Sequence, residues 1–217
     1  MLRAALSAFI IAAVVVPMAA ASGLDRPQVR INAPDQAAAK FALVRKADLG
    51  SGWTGGPKKP DLSSTMSCPG YTPKQSDLVV TGAAETDFQR PGVAVQSIAQ
   101  VMKTSSMVGR DWQRSVLDPR AFKCLRYTLA KQLTKQERIV SFSKLGFPHL
   151  ARFTNAYRIE IEVRAQGQTV RITSDLIVIG RSRTELTLSV TAPKVAERNL
   201  VKAELRLARA MVARARA

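Results

Sequence analysis

Residues 157–179 read YRIEIEVRAQGQTVRITSDLIVI, two runs of alternating apolar and polar residues joined at Gln166-Gly167. Alternation of period two is typical of β-strands, and a two-residue connection between such runs predicts an antiparallel hairpin. A turn at this position pairs apolar residues on one face and opposite charges on the other; the four pairs are Val163–Val170, Ile161–Ile172, Glu162–Arg171 and Arg158–Asp175. A slip of one residue would destroy both sets of matches, so the pattern also predicts the register.

Further strand patterns lie on both sides of this hairpin, at residues 78–88, 93–102, 137–145 and 183–190. The first two predict a second hairpin, because Arg90-Pro91-Gly92 suits a type II turn. In the last part of the quoted stretch, Ile177 and Ile179 point away from Leu176 and Val178. That end of the strand is therefore expected to be covered on both faces.

Four helices are predicted around these strands. The first spans residues 35–49; Asp35 caps it, Gly50 ends it, and its buried face consists of Ala38, Phe41, Ala42 and Leu49. The second spans residues 104–116, and the fourth follows Pro193. The third spans residues 119–133; it begins at Asp118-Pro119, and its apolar face consists of Phe122, Leu125, Leu129 and Leu133. The predicted fold class is therefore α+β, an antiparallel sheet of five or more strands with helices packed against it. We expect one such domain over residues 35–217, preceded by an irregular segment at 22–34.

The first 21 residues, MLRAALSAFIIAAVVVPMAAA, have the pattern of a signal peptide. Arg3 supplies a positive start, an apolar run ends at Pro17, and the small residues after it suit signal peptidase. The run is too short for the ~20 residues of a comfortable transmembrane span, the alternative reading. We expect a secreted or envelope-associated protein with no transmembrane anchor and, since no cysteine lies near the cleavage site, no lipoprotein anchor.

The net charge of +17 becomes +16 when the leader and its Arg3 are removed. In an exported protein the natural anions are wall polymers, lipid headgroups and acidic glycans, so nucleic acid is not expected as a partner. The last helix carries a basic stripe, Arg198, Lys202, Arg206 and Arg209, which predicts either an anion-facing patch that can also touch a membrane surface or a solvated back of a docked helix. Glu197 and Glu204 intrude on its apolar side, which favours docking at a protein edge.

Cys68 and Cys124 are the two cysteines of the chain. In an exported protein they most simply form one disulfide, which would hold down the glycine- and proline-rich loop at residues 50–76. A free catalytic thiol is the other reading, and it would need a partner to lower its pKa. His149, the one histidine, has no recognisable catalytic context.

No catalytic residue, metal site or cofactor motif is predicted. A serine triad lacks its elbow motif, and zinc lacks ligands. Glu160 and Glu162 lie near each other on one predicted strand, but Arg171 accounts for Glu162 in the expected register. Acidic side chains that converge in a pocket would instead support a hydrolase. The candidate ligand contacts are the loop residues Trp53, Lys58 and Lys59 together with Trp112, although a tryptophan is more often a core residue than a ligand contact.

Three stretches, ADLGSGWT at 47–54, TGAAETDF at 81–88 and ITSDLIVIGRSRTELTL at 172–188, carry a resemblance. Together with the order of elements they resemble the extracellular sensor domain of the PknH-type receptor kinases of actinobacteria and its free-standing exported relatives, over roughly residues 35–212. The resemblance implies a binding fold with a ligand cleft. This chain departs from the kinase ectodomain in lacking its second disulfide and any kinase domain.

These observations predict a non-enzymatic, sensor-like binding protein of the cell envelope. It would hold a small amphiphilic or wall-derived ligand in a cleft between helices and sheet. The alternative is a basic structural or adhesive protein that binds anionic envelope polymers or lipid surfaces.

Overall fold

The computed structural model describes residues 25–63, 65–165 and 167–215. The expected signal peptide at residues 1–21 lies outside them. The elements, in chain order, are β1 Gln28–Val29, α1 Ala33–Ala42, α2 Lys46–Leu49, β2 Thr54–Lys58, β3 Val79–Arg90, β4 Val93–Met102, α3 Ser105–Trp112, a π-helical turn Gln113–Leu117, α4 Pro119–Gln132, β5 Glu137–Lys144, β6 Phe153–Ala165, β7 Gln168–Arg181, β8 Thr184–Pro193, a 3-10 turn Lys194–Ala196 and α5 Glu197–Arg214.

The eight strands of the described chain form one sheet in the order β1-β3-β4-β8-β7-β6-β5, with β2 beside β3 on the same edge as β1. All neighbours are antiparallel except β1, which runs parallel to β3. The α+β class, the helices packed on the sheet and the single disulfide are therefore confirmed. The hairpin of β3 and β4 turns at Pro91-Gly92 as expected, with a left-handed φ of 79° at Gly92.

The central hairpin has the predicted register at all four pairs. Arg158 binds Asp175 across it, with Nε 2.7 Å from Oδ1. The Glu162 carboxylate, in contrast, accepts a hydrogen bond from Arg138 of β5 at 2.9 Å, while Arg171 is exposed. The third strand therefore supplies a partner that the hairpin alone did not predict.

Helices cover both faces of the sheet, and we name the faces after them. On the α5 face, α1 and α5 pack against the main apolar core, which includes Ile177, Ile179, Leu186, Leu188 and Val190. On the α3 face, α3 lies against β4, β7 and β8, and α4 lies against β5. The expectation that the end of β7 is covered on both faces agrees with this arrangement, since Ile177 and Ile179 are buried and Leu176 and Val178 are half-buried.

The first helix differs from its prediction. Asn32, rather than Asp35, caps it, and it ends at Ala42 because Leu43 and Val44 continue as buried extended chain. Asp35 instead accepts hydrogen bonds from Arg183 at 2.7 and 3.2 Å. Phe41, expected in the core, is 42% exposed and lies under the Arg45 guanidinium. The short β1 lies within the segment expected to be irregular.

The Cys68–Cys124 disulfide joins the β2–β3 loop, residues 59–78, to α4. The four predicted apolar residues of α4 are half-buried, and Phe122 stacks on Phe142 of β5 with ring centroids 4.6 Å apart. Cys124 lies off that side of the helix and is nevertheless fully buried, packed with Tyr71 of the loop. The loop therefore wraps the side of α4 that the sheet leaves open. Among the described residues, no helix is long and apolar enough to cross a bilayer.

Candidate ligand-binding cavity

A cavity of about 240 Å³ lies on the α3 face of the sheet. Its floor is formed by β3, β4 and β8, and its walls by α3, the β2–β3 loop and the segment around β1. Most of the lining side chains are apolar; these are Pro27, Val29, Leu62, Met66, Leu78, Val80, Ile98 and Met102. The polar lining residues are Thr65, Gln75, Gln100, Asp111, Glu185 and Thr187. A small site with apolar walls and a few polar groups at one end is typical of ligand pockets.

Two carboxyl groups meet in this cavity, Asp111 from α3 and Glu185 from β8. Each keeps some accessible surface, but that surface faces the cavity, so both groups are largely removed from water. Burial raises the pKa of Asp111, against hydrogen bonding from Ser115. Burial raises the pKa of Glu185 well above its ordinary value, and the adjacent Asp111 raises it further. Two carboxyls in contact cannot both ionise without strong repulsion, so the pair tends to share a proton.

Neutral donors hold the Asp111 carboxylate in place. The Ser115 hydroxyl, one turn along the chain, donates to Oδ1 at 2.7 Å, and the Gln75 amide reaches the same oxygen at 3.5 Å. Gln75 is in turn fixed because its backbone N–H donates to the Asp25 carboxylate at 3.1 Å. The loop and the chain segment before β1 therefore help to set the geometry of the acidic end.

The nearest arginines are engaged by a different acid. Arg114 binds Asp77 through two hydrogen bonds of 2.7 and 3.1 Å, and Arg110 lies 3.4 Å from the same carboxylate. Hydrogen bonding from Arg114 lowers the pKa of Asp77. Within the described part of the chain, neither Asp111 nor Glu185 forms an ion pair.

Thr65 adds an unsatisfied polar atom to the cavity. Its side chain is 8% exposed, and its Oγ1 has no hydrogen-bond partner among the described residues. An unpaired buried hydroxyl costs about 1–3 kcal/mol, which a bound ligand or water would recover.

The four predicted ligand contacts lie elsewhere. Trp53 is 6% exposed, belongs to the core of the α5 face and lies under the Arg90 guanidinium. Trp112 is equally buried and stacks on Phe153 at 5.3 Å. Lys58 lies 3.4 Å from Glu85, and Lys59 is exposed. The structure therefore does not bring these four side chains together.

The basic stripe of α5 lies on the solvent side of the helix where its side chains are described. Lys202, Arg206 and Arg209 are exposed, and the Arg206 guanidinium donates to the Asp48 carbonyl. The side chain of Arg198 lies outside the description. Glu204 was expected at an edge of the docked side, but it is completely buried under the helix.

The cavity residues were not singled out by the sequence analysis, because Thr65, Asp111 and Glu185 come from a loop, a helix and a strand far apart in the chain. One signal was available. β8 reads TELTLSVTAP, so its apolar residues alternate with Glu185, Thr187, Ser189 and Thr191. A strand side that is polar and mostly uncharged is typical of a face that is only partly exposed. Among the described residues, no three His, Cys, Asp or Glu side chains come together as metal ligands.

Fold and site together define a class: an α+β domain, cross-linked by one disulfide, with a small cavity against one face of a largely antiparallel sheet. No protein-family model and no curated protein matches the chain. Several solved structures are similar to it, among them the following three. One is an uncharacterised protein from Mycobacterium smegmatis, 13% identical with a TM-score of 0.40, over 81% of this chain and 98% of that one.

The second is LpqN, involved in cell envelope biogenesis of Mycobacterium tuberculosis, 10% identical with a TM-score of 0.31 over 73% of this chain and 76% of LpqN. The third is a protein of unknown function from Pseudomonas aeruginosa, 9% identical with a TM-score of 0.30 over 70% of this chain and 94% of that one. These likenesses are too distant to assign a family or a ligand.

Proposed function

We propose that this chain is an exported, non-enzymatic binding protein of the cell envelope that holds a small amphiphile in the cavity on the α3 face. The observation that carries the proposal is a cavity whose lining combines apolar side chains with a desolvated carboxyl pair and the unsatisfied Thr65 hydroxyl. The resemblance to PknH-type sensor domains supports a binding role, and the disulfide suits an oxidising compartment.

The volume sets the size of the ligand. A cavity of about 150 Å³ lined by apolar side chains accepts benzene. The present cavity of about 240 Å³ is therefore large enough for a short alkyl chain with a polar head, and too small for a full lipid. A larger amphiphile would insert one end and leave the rest outside.

The Asp111–Glu185 pair is an observation in favour of a hydrolase, because two acidic side chains do converge in a pocket. Glycosidases, however, keep their two carboxyls roughly 5–9.5 Å apart, with the scissile bond or a water between them. Asp111 and Glu185 interact by hydrogen bonding, which leaves no such space. Aspartic proteases do bring two carboxyls into contact, but they act on a long peptide, which a cavity of this size does not hold.

Basic side chains on α5 support the second candidate, binding to an anionic envelope polymer. Lys202 and Arg209 are exposed on one side of the helix, beside Arg206. Binding that depends on such charges weakens steeply with salt, whereas capture of an amphiphile in an apolar cavity changes little.

Native mass spectrometry tests the proposal, on protein purified from its own host and followed by lipid extraction. We expect a co-purifying amphiphile that is lost in Ile98→Trp, which fills the cavity floor. Ile172→Trp is the matched control, because Ile172 is half-buried on the same sheet face outside the cavity. A bare wild-type protein that binds anionic wall material in low salt only would support the second candidate and exclude the first. Release of hydrolysed products from an amphiphile or a peptide would contradict the non-enzymatic role.

A further inference from the structure

We propose that the polar end of the cavity binds the ammonium group of a small primary amine, whose apolar part lies against the walls. This inference rests on the proposed binding function and names the chemical class of its ligand. It is carried by two observations: two carboxyl groups that line the same cavity have no cationic partner within the described part of the chain, and the buried Thr65 hydroxyl in that lining has no hydrogen-bond partner there either.

The charge balance of the protein makes this arrangement informative. The chain has 33 basic and 16 acidic side chains, so a cation is available to nearly every surface carboxylate. Other well-buried acids use them: Asp175 binds Arg158, Glu162 binds Arg138 and Glu85 lies beside Lys58. Glu204 has no such partner among the described residues, but it is sealed under α5 and does not line the cavity. Asp111 and Glu185 differ because their interactions are with neutral donors and with each other.

The charged groups around Asp111 and Glu185 leave the place of a cationic partner open for a ligand. On α3 and the turn after it, Arg110 and Arg114 face Asp77, which precedes β3. Asp25, before β1, accepts the backbone N–H of Gln75. Gln100 and Thr187, which line the same floor as Glu185, are uncharged. The net field at the acidic end is therefore negative and partly offset by Arg114.

An ammonium group fits the acceptors better than a metal ion or a sugar. It has three N–H donors, and the cavity offers three kinds of oxygen that can accept them: the Asp111 and Glu185 carboxyls and the unsatisfied Thr65 hydroxyl. Calcium needs six to eight oxygen ligands. A sugar has hydroxyl groups all around, whereas eight of the fourteen side chains that line this cavity are apolar.

Binding should exchange a cation for a proton. Burial raises the pKa of both carboxyls, and the adjacent Asp111 raises the pKa of Glu185 further, so the pair retains a proton to higher pH than an isolated acid does. An incoming ammonium group stabilises the doubly ionised pair, and the shared proton passes to the buffer. Affinity for an amine should therefore rise with pH across the range in which the empty pair is still protonated.

Isothermal titration calorimetry on the full mature protein tests this with n-hexylamine as the probe, at about pH 5, 6.5 and 8. Titration at each pH in two buffers of different ionisation enthalpy counts the protons released. 1-Hexanol and hexanoate are matched probes with the same chain and a different head. We expect hexylamine to bind at least about tenfold more tightly than hexanol, with proton release and with affinity rising with pH.

Glu185→Gln keeps the shape and removes the charge, and should weaken hexylamine about ten- to hundredfold while leaving hexanol unchanged. Glu85→Gln is the matched control, because Glu85 is a buried acid on the same sheet face outside the cavity, and it should bind hexylamine like the wild type. Hexanol binding as tightly as hexylamine, or amine binding without proton release, would overturn the inference and keep the proposed cavity. If none of the three probes binds, both the inference and the amphiphile proposal fail.

Discussion

Replacing Glu204 with glutamine should stabilise the folded protein at neutral and alkaline pH. Glu204 lies on α5, is fully buried, and neither of its carboxylate oxygens has a hydrogen-bond partner among the described residues. It faces Asp175 on β7, which is also fully buried and is held by Arg158 on β6. Burial first, and then the charge of Asp175, raise the pKa of Glu204 to about 8, although Arg158 acts in the opposite direction.

The sign of the effect follows from proton linkage. In the unfolded chain Glu204 ionises near its ordinary pKa of 4.5, whereas in the folded protein it holds its proton up to about 8. The folded state therefore loses stability as the pH rises from 4.5 to 8. At 1.36 kcal/mol per pH unit, the loss is about 3 kcal/mol at pH 7 and about 5 kcal/mol at pH 9. Glutamine is neutral at every pH, and its amide can donate to Asp175.

Urea unfolding at pH 5, 7 and 9 measures this difference. Glu204→Gln should resemble the wild type at pH 5 and unfold at a urea concentration higher by about 1 M or more at pH 7, with an unchanged slope. Glu160→Gln is the control, because Glu160 lies on the same sheet face and accepts a 2.7 Å hydrogen bond from Lys194. Loss of the Glu160 carboxylate should lower the free energy of unfolding at pH 7. The same pH dependence of stability in Glu204→Gln and the wild type between pH 5 and 9 would refute a raised pKa at Glu204.

Three further changes test other parts of the structure. Asp35→Asn should lower the free energy of unfolding by about 2 kcal/mol at pH 7, because it removes the carboxylate that binds Arg183 before β8. Since Arg183 lowers the pKa of Asp35, the difference from the wild type should shrink as the pH falls from about 4 to 2, which urea unfolding over pH 2–7 would show. Replacing both cysteines of the Cys68–Cys124 disulfide with alanine should lower the free energy of unfolding by about 3–4 kcal/mol and loosen the wall of the cavity. Faster amide hydrogen exchange in the β2–β3 loop would show the loosening, and unchanged exchange there would contradict the anchoring role. Gly82→Ala should destabilise by about 1–3 kcal/mol in a thermal unfolding assay, because a Cβ would overlap the Asp35 carbonyl, whereas Gly146→Ala, with open space around it, should be near neutral.

The central hairpin could be predicted to the residue because period-two alternation and opposite charges select one register. The same pattern did not tell which face is buried. The charged face, with Arg158 and Asp175, is the one that α5 covers, because Ile177 and Ile179 on that same face continue into the main core. Local pattern reports which residues share a face, and only the packing of distant elements decides what lies against it.

The cavity could not be predicted for a related reason. The position of Asp111 beside Glu185 depends on how α3 crosses β8, and the position of Thr65 depends on a long loop held by the disulfide. The first helix shows the same limit on a smaller scale. Asp35 is a good helix cap by sequence, but Arg183, 148 residues away, engages its carboxylate, and Asn32 takes the cap.

The two faces of the sheet thus each carry a pair of adjacent carboxyls, and the difference between the pairs bears on function. Asp175 and Glu204 are sealed beneath α5, so the repulsion that Arg158 leaves between them is relieved by a proton held inside the fold. Asp111 and Glu185 face a cavity with a further unsatisfied oxygen, so a ligand can relieve theirs. A bound cation should therefore flatten the part of the pH–stability profile that comes from Asp111 and Glu185, and leave the part that depends on Glu204 unchanged. One pH titration of stability with and without the amine would then distinguish the ligand site on the α3 face from the structural pair under α5.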